Sequence, residues 1–346
     1  MLNSHSLADK RILISRTDSI GDVVLTLPMC CWIKQQYPSA EILFLGKKYT
    51  TPVLECLADI NEIIDWDRLN SLSEQEQVQA LSALNIDVVI HVFPNKKLAH
   101  LAKKAGIPQR VGTLNRLYHW LTCNIRPHFS RAKSEFHEAQ LNFELLRYFG
   151  ITSLPSLSEM SQWLEDSFHA KEETLPLDIT TLLSSQPVVI LHPKSQGSAL
   201  EWPMEKYQQL ALALLENGYG VIFTGTEKEG QHFREAIPAH ENCLDSTGKL
   251  TLSQLIRLLS LSQHLVACST GPLHLAAIQG IHAIGLFSSR RPIHPGRWRP
   301  LGQKSDVMVF DEQCPVCQQG EPCHCIEQIP VERVLQAILQ DKEASK

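Results

Sequence analysis

The segment RILISRTDSIGDVVLTLP, residues 11–28, runs from a short apolar stretch (11–15) through a polar loop (RTDSIGD, 16–22) into a second apolar run that can continue as a helix to Tyr37. Pro38 ends it. A strand that passes through a glycine-containing loop into a helix is the opening half of a βαβ unit. Working outward, AEILFLG (40–46) and DVVIHVF (87–93) read as further buried strands bounded by breakers, with helical patterns at 74–84 and 134–149. Strands alternating with helices imply right-handed crossovers and a parallel sheet.

From 151 to 187 the chain becomes rich in Ser, Pro and acids with weak periodicity, and reads as a connection. The alternation then restarts with PVVILHP (187–193), a helix from Met204 to Asn217 closed by Gly218, GVIFTG (220–225), a helix at 251–262, HLVAC (264–268) and HAIGLF (282–287). A final helical pattern at 330–340 has no evident partner in sequence. The expected fold is therefore α/β, with two Rossmann-like parallel-sheet domains facing a central cleft. The expected boundaries are 1–165 for the first domain, 166–186 for the linker, 187–329 for the second and 330–346 for a C-terminal helix that could cross back to the first.

Composition agrees with two globular domains and narrows the function. The chain has 346 residues, 43% hydrophobic and 20% charged, against roughly 150 residues per domain. A net charge of −5 offers no broad basic field for nucleic acid. The longest apolar stretch, 23–33, is far short of the roughly 18–20 residues that span a bilayer. The start carries no signal-like apolar region, so a cytoplasmic location with reduced thiols is expected.

Ligands of parallel α/β sheets sit beyond the C-terminal ends of strands, where helix N-termini present free N–H groups. In TDSIGD (17–22), Asp22 at a helix start is either an N-cap or a general base; a carboxylate tied to backbone N–H groups would be the weaker base. STGPLH (269–274) joins a strand to a helix through Ser269, Thr270, Gly271 and Pro272, either a simple helix start or an anion-binding turn, with His274 in its first turn. HPKSQGSALEWP (192–203), with Lys194, is a third such loop. No GxGxxG and no GxxxxGK[ST] occurs, which removes most of the case for a Rossmann dehydrogenase or a P-loop NTPase.

Together, RILISRTDSIGDVVLTLP, HPKSQGSALEWP and LVACSTGPLHLAAIQG followed by IGLFSSRRPIHPGRWRPLG resemble glycosyltransferase family 9, in the family's order and over almost the whole chain. The resemblance implies a GT-B fold, with the acceptor bound mainly by the N-terminal domain and the nucleotide sugar by the C-terminal one. It implies an inverting transferase that moves heptose from ADP-heptose to a lipopolysaccharide core or related surface glycan, with no cofactor required. Asp22 matches the family's Gly-Asp base, and Ser269, Thr270, Gly271 and His274 match its diphosphate loop. GTEKEG (225–230) is similar to the segment whose Glu meets the nucleoside, which points to Glu227.

Two positions depart from the family pattern. Ser269 stands where many members have Asp, and Leu200 where many have Lys, two residues before the Trp-Pro. A carboxylate and a phosphate-binding lysine are thereby missing. Lys194 could supply the charge from the same loop. Arg290, Arg291, Arg297 and Arg299 form a basic cluster that either contacts donor diphosphate or a phosphorylated acceptor, or is a solvated face. The basic stretch from Lys96 to Arg131 is either solvated helix surface or a contact for anionic lipid at the cytoplasmic face of the inner membrane.

CPVCQQGEPCHC brings Cys314, Cys317, Cys323 and Cys325 into twelve residues. The C-x2-C opening is compatible with tetrahedral zinc, but the second pair is C-x-C, tighter than ordinary zinc ribbons, so reduced structural thiols or occasional disulfides are expected and zinc or an iron–sulfur cluster is the alternative. The departures keep open a nucleotide-sugar or saccharide binding protein without turnover; a family 9 transferase using another nucleotide sugar is a second rival, and an oxidoreductase a third, since two Rossmann-like domains do not distinguish cofactor use from sugar-nucleotide use.

Overall fold

The computed structural model describes residues 5–131, 134–321 and 323–344. The chain divides into two compact units, Met1–His169 and Ala170–Lys346. The first holds a five-stranded sheet built from β1 (Arg11–Ser15), β2 (Glu41–Gly46), β3 (Glu62–Asp65), β4 (Val88–His91) and β5 (Gln109–Val111). All its pairings are parallel, in the order β3-β2-β1-β4-β5. The second holds β6 (Val188–His192), β7 (Gly220–Phe223), β8 (Cys243–Asp245), β9 (His264–Cys268), β10 (His282–Phe287) and β11 (Ser305–Val309). These too are wholly parallel, in the order β11-β10-β9-β6-β7-β8.

Each sheet thus starts at its middle, grows outward by two strands, then returns to the other side. The reversals lie between β1 and β4 and between β6 and β9. There the two connections leave in opposite directions and open a crevice at the C-terminal strand ends, the place where doubly wound sheets take ligands. Register fixes what stands at each crevice: Ser15 pairs with His91 in the first sheet and His192 with Ala267 in the second. Because helices cover both faces, the central strands are apolar throughout: Ile12, Leu13, Ile14, Val88, Val89, Ile90, Val189, Ile190, Leu265 and Val266 are fully buried.

Several local expectations are corrected. The apolar run after the first loop is not one helix but two, Ile20–Val24 and Leu27–Gln36, the second opening with Pro28 in its first turn. Proline is tolerated there because the first N–H groups of a helix lack intrahelical partners. The pattern at 134–149 becomes a helix only from Glu138 to Phe143 and tightens into a 3-10 helix over Glu144–Phe149. The stretch 151–187 contains two helices, Leu157–Ser167 and Leu177–Ser185. The final helix, Val331–Ala344, packs on Met204–Glu216. It buries Val334 and Ile338 in the second unit's core, beside Trp202, whose indole donates to the Ile329 carbonyl at 3.0 Å.

Candidate active site

In the first unit, β1 delivers Arg16 at the crevice, and a bend brings Asp18, Ser19 and Asp22 around it. Of the two readings of Asp22, the N-cap one does not hold. It lies inside the helix Ile20–Val24, whose N-cap is Ser19, and its carboxylate accepts from the Arg16 guanidinium and from Ser19 Oγ at 2.5 Å. It is held by side chains rather than by backbone N–H groups, while its own carbonyl accepts from Thr26 Oγ1 at 2.8 Å.

Arg16 is the centre of the arrangement. Its side chain is 5% exposed, and the guanidinium also donates to Asp18 Oδ1 at 2.7 Å and stands 3.7 Å from Glu138 Oε1. Burial works against its charge, but Asp18, Asp22 and Glu138 outweigh it and the Arg16 pKa is raised. Burial pushes the Asp18 carboxyl up to about 6 despite Arg16 beside it, with Asp22 adding repulsion. Glu138 binds Arg131 as well, and Arg131 reaches Asn142 Oδ1 at 3.0 Å. Asn142 in turn donates to the Leu25 carbonyl at 2.9 Å, closing the ring back onto the Asp22 helix. At the neighbouring strand end His91 is buried, with Nε2 unpartnered among the described residues, and burial lowers its pKa to about 3. It is a neutral imidazole beside a charged cluster.

In the second unit, loops after β6 and β9 meet. Ser269, Leu200, Gly197 and Ala199 line a cavity of about 240 Å3 together with Arg290, Arg291, Leu286, Phe287 and Ile326. Both departures from the family pattern therefore stand in one cavity wall. A missing lysine and a missing aspartate cancel in net charge, and Arg290 and Arg291 supply the cations. Arg297 is not among the lining residues; it lies over the Trp298 ring, 5.6 Å from its centroid. Arg299 lines a separate recess.

Thr270 is the N-cap of the helix Gly271–Ile278 but makes no side-chain capping bond, and its buried Oγ1 has no hydrogen-bond partner among the described residues. A buried hydroxyl left unmatched costs about 1–3 kcal/mol. At a helix N-terminus an anion can match such a hydroxyl. His274 lies in the first turn and is buried.

Lys194 is ion-paired with Glu201 Oε2 at 2.8 Å, and Ser195 donates to Oε1 of the same carboxylate through N and Oγ at 2.8 and 3.0 Å. Burial alone would raise the Glu201 pKa, but these partners prevail and lower it. Glu227 is exposed and bound by Arg234 at 2.8 and 3.1 Å; its neighbour Glu229 is the buried one and closes a capping box with Thr226.

Of the basic stretch 96–131, Arg110 is spent on the Thr122 carbonyl at 2.7 Å and Arg131 on the internal Glu138. Within the same stretch the helix Leu117–Thr122 shows Leu117, Trp120 and Leu121 exposed by 88, 56 and 70%, one above another at i, i+3 and i+4. Arg126 lies over the Trp120 ring and Lys103 Nζ donates to the Leu121 carbonyl. Among the described residues no helix is long and apolar enough to cross a membrane.

Sequence reasoning missed Arg16, Glu138, Arg131 and Glu201. Arg16 sits inside the quoted loop, and its place directly after a buried strand was the available signal. Nothing in the sequence joins Glu138 to residue 22.

The first unit's crevice thus holds a carboxylate fixed by side chains, and a cavity of the second is lined by arginines. A model of glycosyltransferase family 9 (heptosyltransferase) matches residues 76–325. The chain belongs to this family and is a glycosyltransferase of GT-B fold. It is 22% identical over 345 residues to lipopolysaccharide heptosyltransferase 2 of Escherichia coli K12, covering 96% of this chain and 98% of that one. The family 9 glycosyl transferase of Veillonella parvula superposes with a TM-score of 0.76 at 20% identity, over 97% and 99% of the two chains. The E. coli heptosyltransferase WaaC with ADP gives 0.72 at 19%, over 96% and 99%.

Proposed function

We propose that the chain transfers heptose, with inversion, from ADP-heptose to a lipopolysaccharide core or related surface-glycan acceptor. The observation that carries this is the Asp22 carboxylate, fixed by Arg16 and Ser19 rather than capping its helix. Relatives named as lipopolysaccharide heptosyltransferases and a structural neighbour bound to ADP support the substrate class. Asp22 takes the proton of the acceptor hydroxyl as that oxygen bonds to the anomeric carbon and the bond to the diphosphate breaks. The leaving charge is met by Thr270, the N–H groups opening Gly271–Ile278 and Arg290. Lys194, already neutralised by Glu201, acts on the donor through that pair. Glu227 meets the nucleoside by exchanging its Arg234 contact.

We also infer a peripheral contact with a membrane through Leu117, Trp120 and Leu121, an apolar strip with cations at its edge. The reaction is tested by nucleoside diphosphate release from ADP-heptose, other ADP-sugars, UDP-sugars and GDP-sugars with a lipopolysaccharide-core acceptor. Acceptor-dependent ADP release from ADP-heptose alone, reduced about 10²–10⁴-fold in Asp22→Asn at unchanged folding, is the expected result. Release from a different donor overturns the heptose assignment.

A further inference from the structure

The loop between β11 and the final helix carries four thiols that the transfer reaction does not use. The Sγ atoms of Cys314, Cys317, Cys323 and Cys325 all lie within 4.8 Å of one another. Cys314 and Cys323 are 3.6 Å apart and Cys323 and Cys325 3.1 Å. Four sulfurs around one ion at metal–sulfur bonds of about 2.3 Å stand about 3.8 Å from each other, so only small adjustments separate this arrangement from a tetrahedral shell.

The remaining six cysteines, Cys30, Cys31, Cys56, Cys123, Cys243 and Cys268, are buried singly or as chain neighbours elsewhere. The four in the loop differ in packing against each other as a separate cluster, with Cys317 fully buried and Cys314 and Cys325 6 and 9% exposed. Among the described residues no large apolar side chain belongs to that cluster. Folding a loop around four small thiols gains little from apolar burial, and a metal–thiolate centre supplies what is missing.

Two pieces of backbone build the pocket. Cys314 is the N-cap of the one-turn helix Pro315–Gln318, which brings Cys317 back beside it. The second pair comes from Cys323-His324-Cys325, where the chain enters the 3-10 turn Cys325–Gln328. The intervening His324 points away, its side chain 81% exposed and hydrogen-bonded to Glu327, so the ligand set is four sulfurs and no imidazole.

We propose that Cys314, Cys317, Cys323 and Cys325 bind one thiophilic metal ion, zinc or iron, in a closed tetrathiolate site. Binding of a divalent ion releases four thiol protons and leaves a centre of charge −2, with no open position for water or substrate. The site is structural. Its effect reaches the cavity in the second unit. The Gly320 carbonyl, between the two cysteine pairs, accepts from Arg290 Nε at 3.0 Å, and Ile326, directly after Cys325, forms part of the cavity wall. The ion anchors the loop that holds Arg290. That last consequence rests on the donor reading above; the metal site does not.

The test is metal analysis of the full chain, produced with zinc and iron in the medium and purified without chelator. One ion per chain is expected, retained through gel filtration. A coloured protein with thiolate-to-iron charge-transfer absorption identifies iron, and a colourless one zinc. Cys323→Ser/Cys325→Ser loses the ion. Since that variant could fail to fold, wild-type protein is also titrated with an organomercurial, which should release the ion as four thiols react, and reconstituted with Co2+, which should show tetrahedral thiolate bands. Substoichiometric metal with four freely reactive thiols overturns the proposal, as does a mass showing disulfides within the loop. Metal content unchanged in the double variant overturns the ligand set. One ion per chain with no transfer from any sugar nucleotide would uphold this site while refuting the transferase reading.

Discussion

Arg16→Met removes a cation that three carboxylates share at 5% exposure. Taking one partner from a fully buried ion pair costs about 3–5 kcal/mol. Asp18 and Asp22 keep 21 and 17% of their side-chain surface and can recruit water, whereas Glu138, at 3%, is buried and retains Arg131. The lower end, about 3 kcal/mol, follows. In a unit of about this size each kcal/mol moves the midpoint by about 2–4 °C, so Tm of the first transition should fall by about 6–12 °C by scanning calorimetry.

The same reasoning makes Arg16→Met/Asp18→Asn partly compensatory, because one stranded charge has gone; a coupling of at least about 1 kcal/mol is expected. Arg16→Lys should fall between, since an ammonium keeps the charge but cannot fork between carboxylates. A Tm within about 2 °C of wild type for Arg16→Met, or strict additivity in the double variant, would refute the claim that this guanidinium neutralises the cluster.

Two further outcomes follow. Asp18 has its folded pKa raised to about 6 from 3.8, so the folded state holds the proton more tightly and the carboxyl's contribution to stability is lost as pH rises through that interval; the stability of wild type relative to Asp18→Asn, measured by denaturant titration, should decline between about pH 4 and about pH 6, and a flat difference would contradict it. Leu117→Ser/Trp120→Ser should bind vesicles rich in anionic lipid about tenfold more weakly, a loss of about 1.4 kcal/mol from two apolar side chains that insert, without change in Tm; equal binding in sedimentation would remove the membrane contact.

The central strands and ligand loops were legible because their signals are local. RILIS and HLVAC have uninterrupted apolar centres, and Thr270-Gly271-Pro272 announces a helix start by residue type alone. The strands that were not read, β3 (EIID), β5 (QRV), β8 (CLD) and β11 (SDVMV), are short, polar or at sheet margins, where a solvated face breaks the pattern. The loop holding Asp22 was legible and its partners were not, since the Glu138 carboxylate lies more than a hundred residues away in sequence and meets Arg16 only through the tertiary fold. The thiol cluster shows the same limit: spacing alone could not decide between free thiols and a metal shell, because convergence of the two pairs depends on how the intervening turn folds.

The ring that runs from Arg16 through Glu138 and Arg131 to Asn142 and back to Leu25 spans most of the first unit. During synthesis the Asp22 segment leaves the ribosome early, at a time when Glu138, Arg131 and Asn142 do not yet exist. An arrested chain ending just short of Arg131 would carry the whole RTDSIGD loop and the sequence of all five strands, yet lack Glu138 as a partner for its guanidinium. Completion of this charge circuit is therefore a late event in biogenesis, and it couples the geometry of the Asp22 carboxylate to the folding of the entire unit.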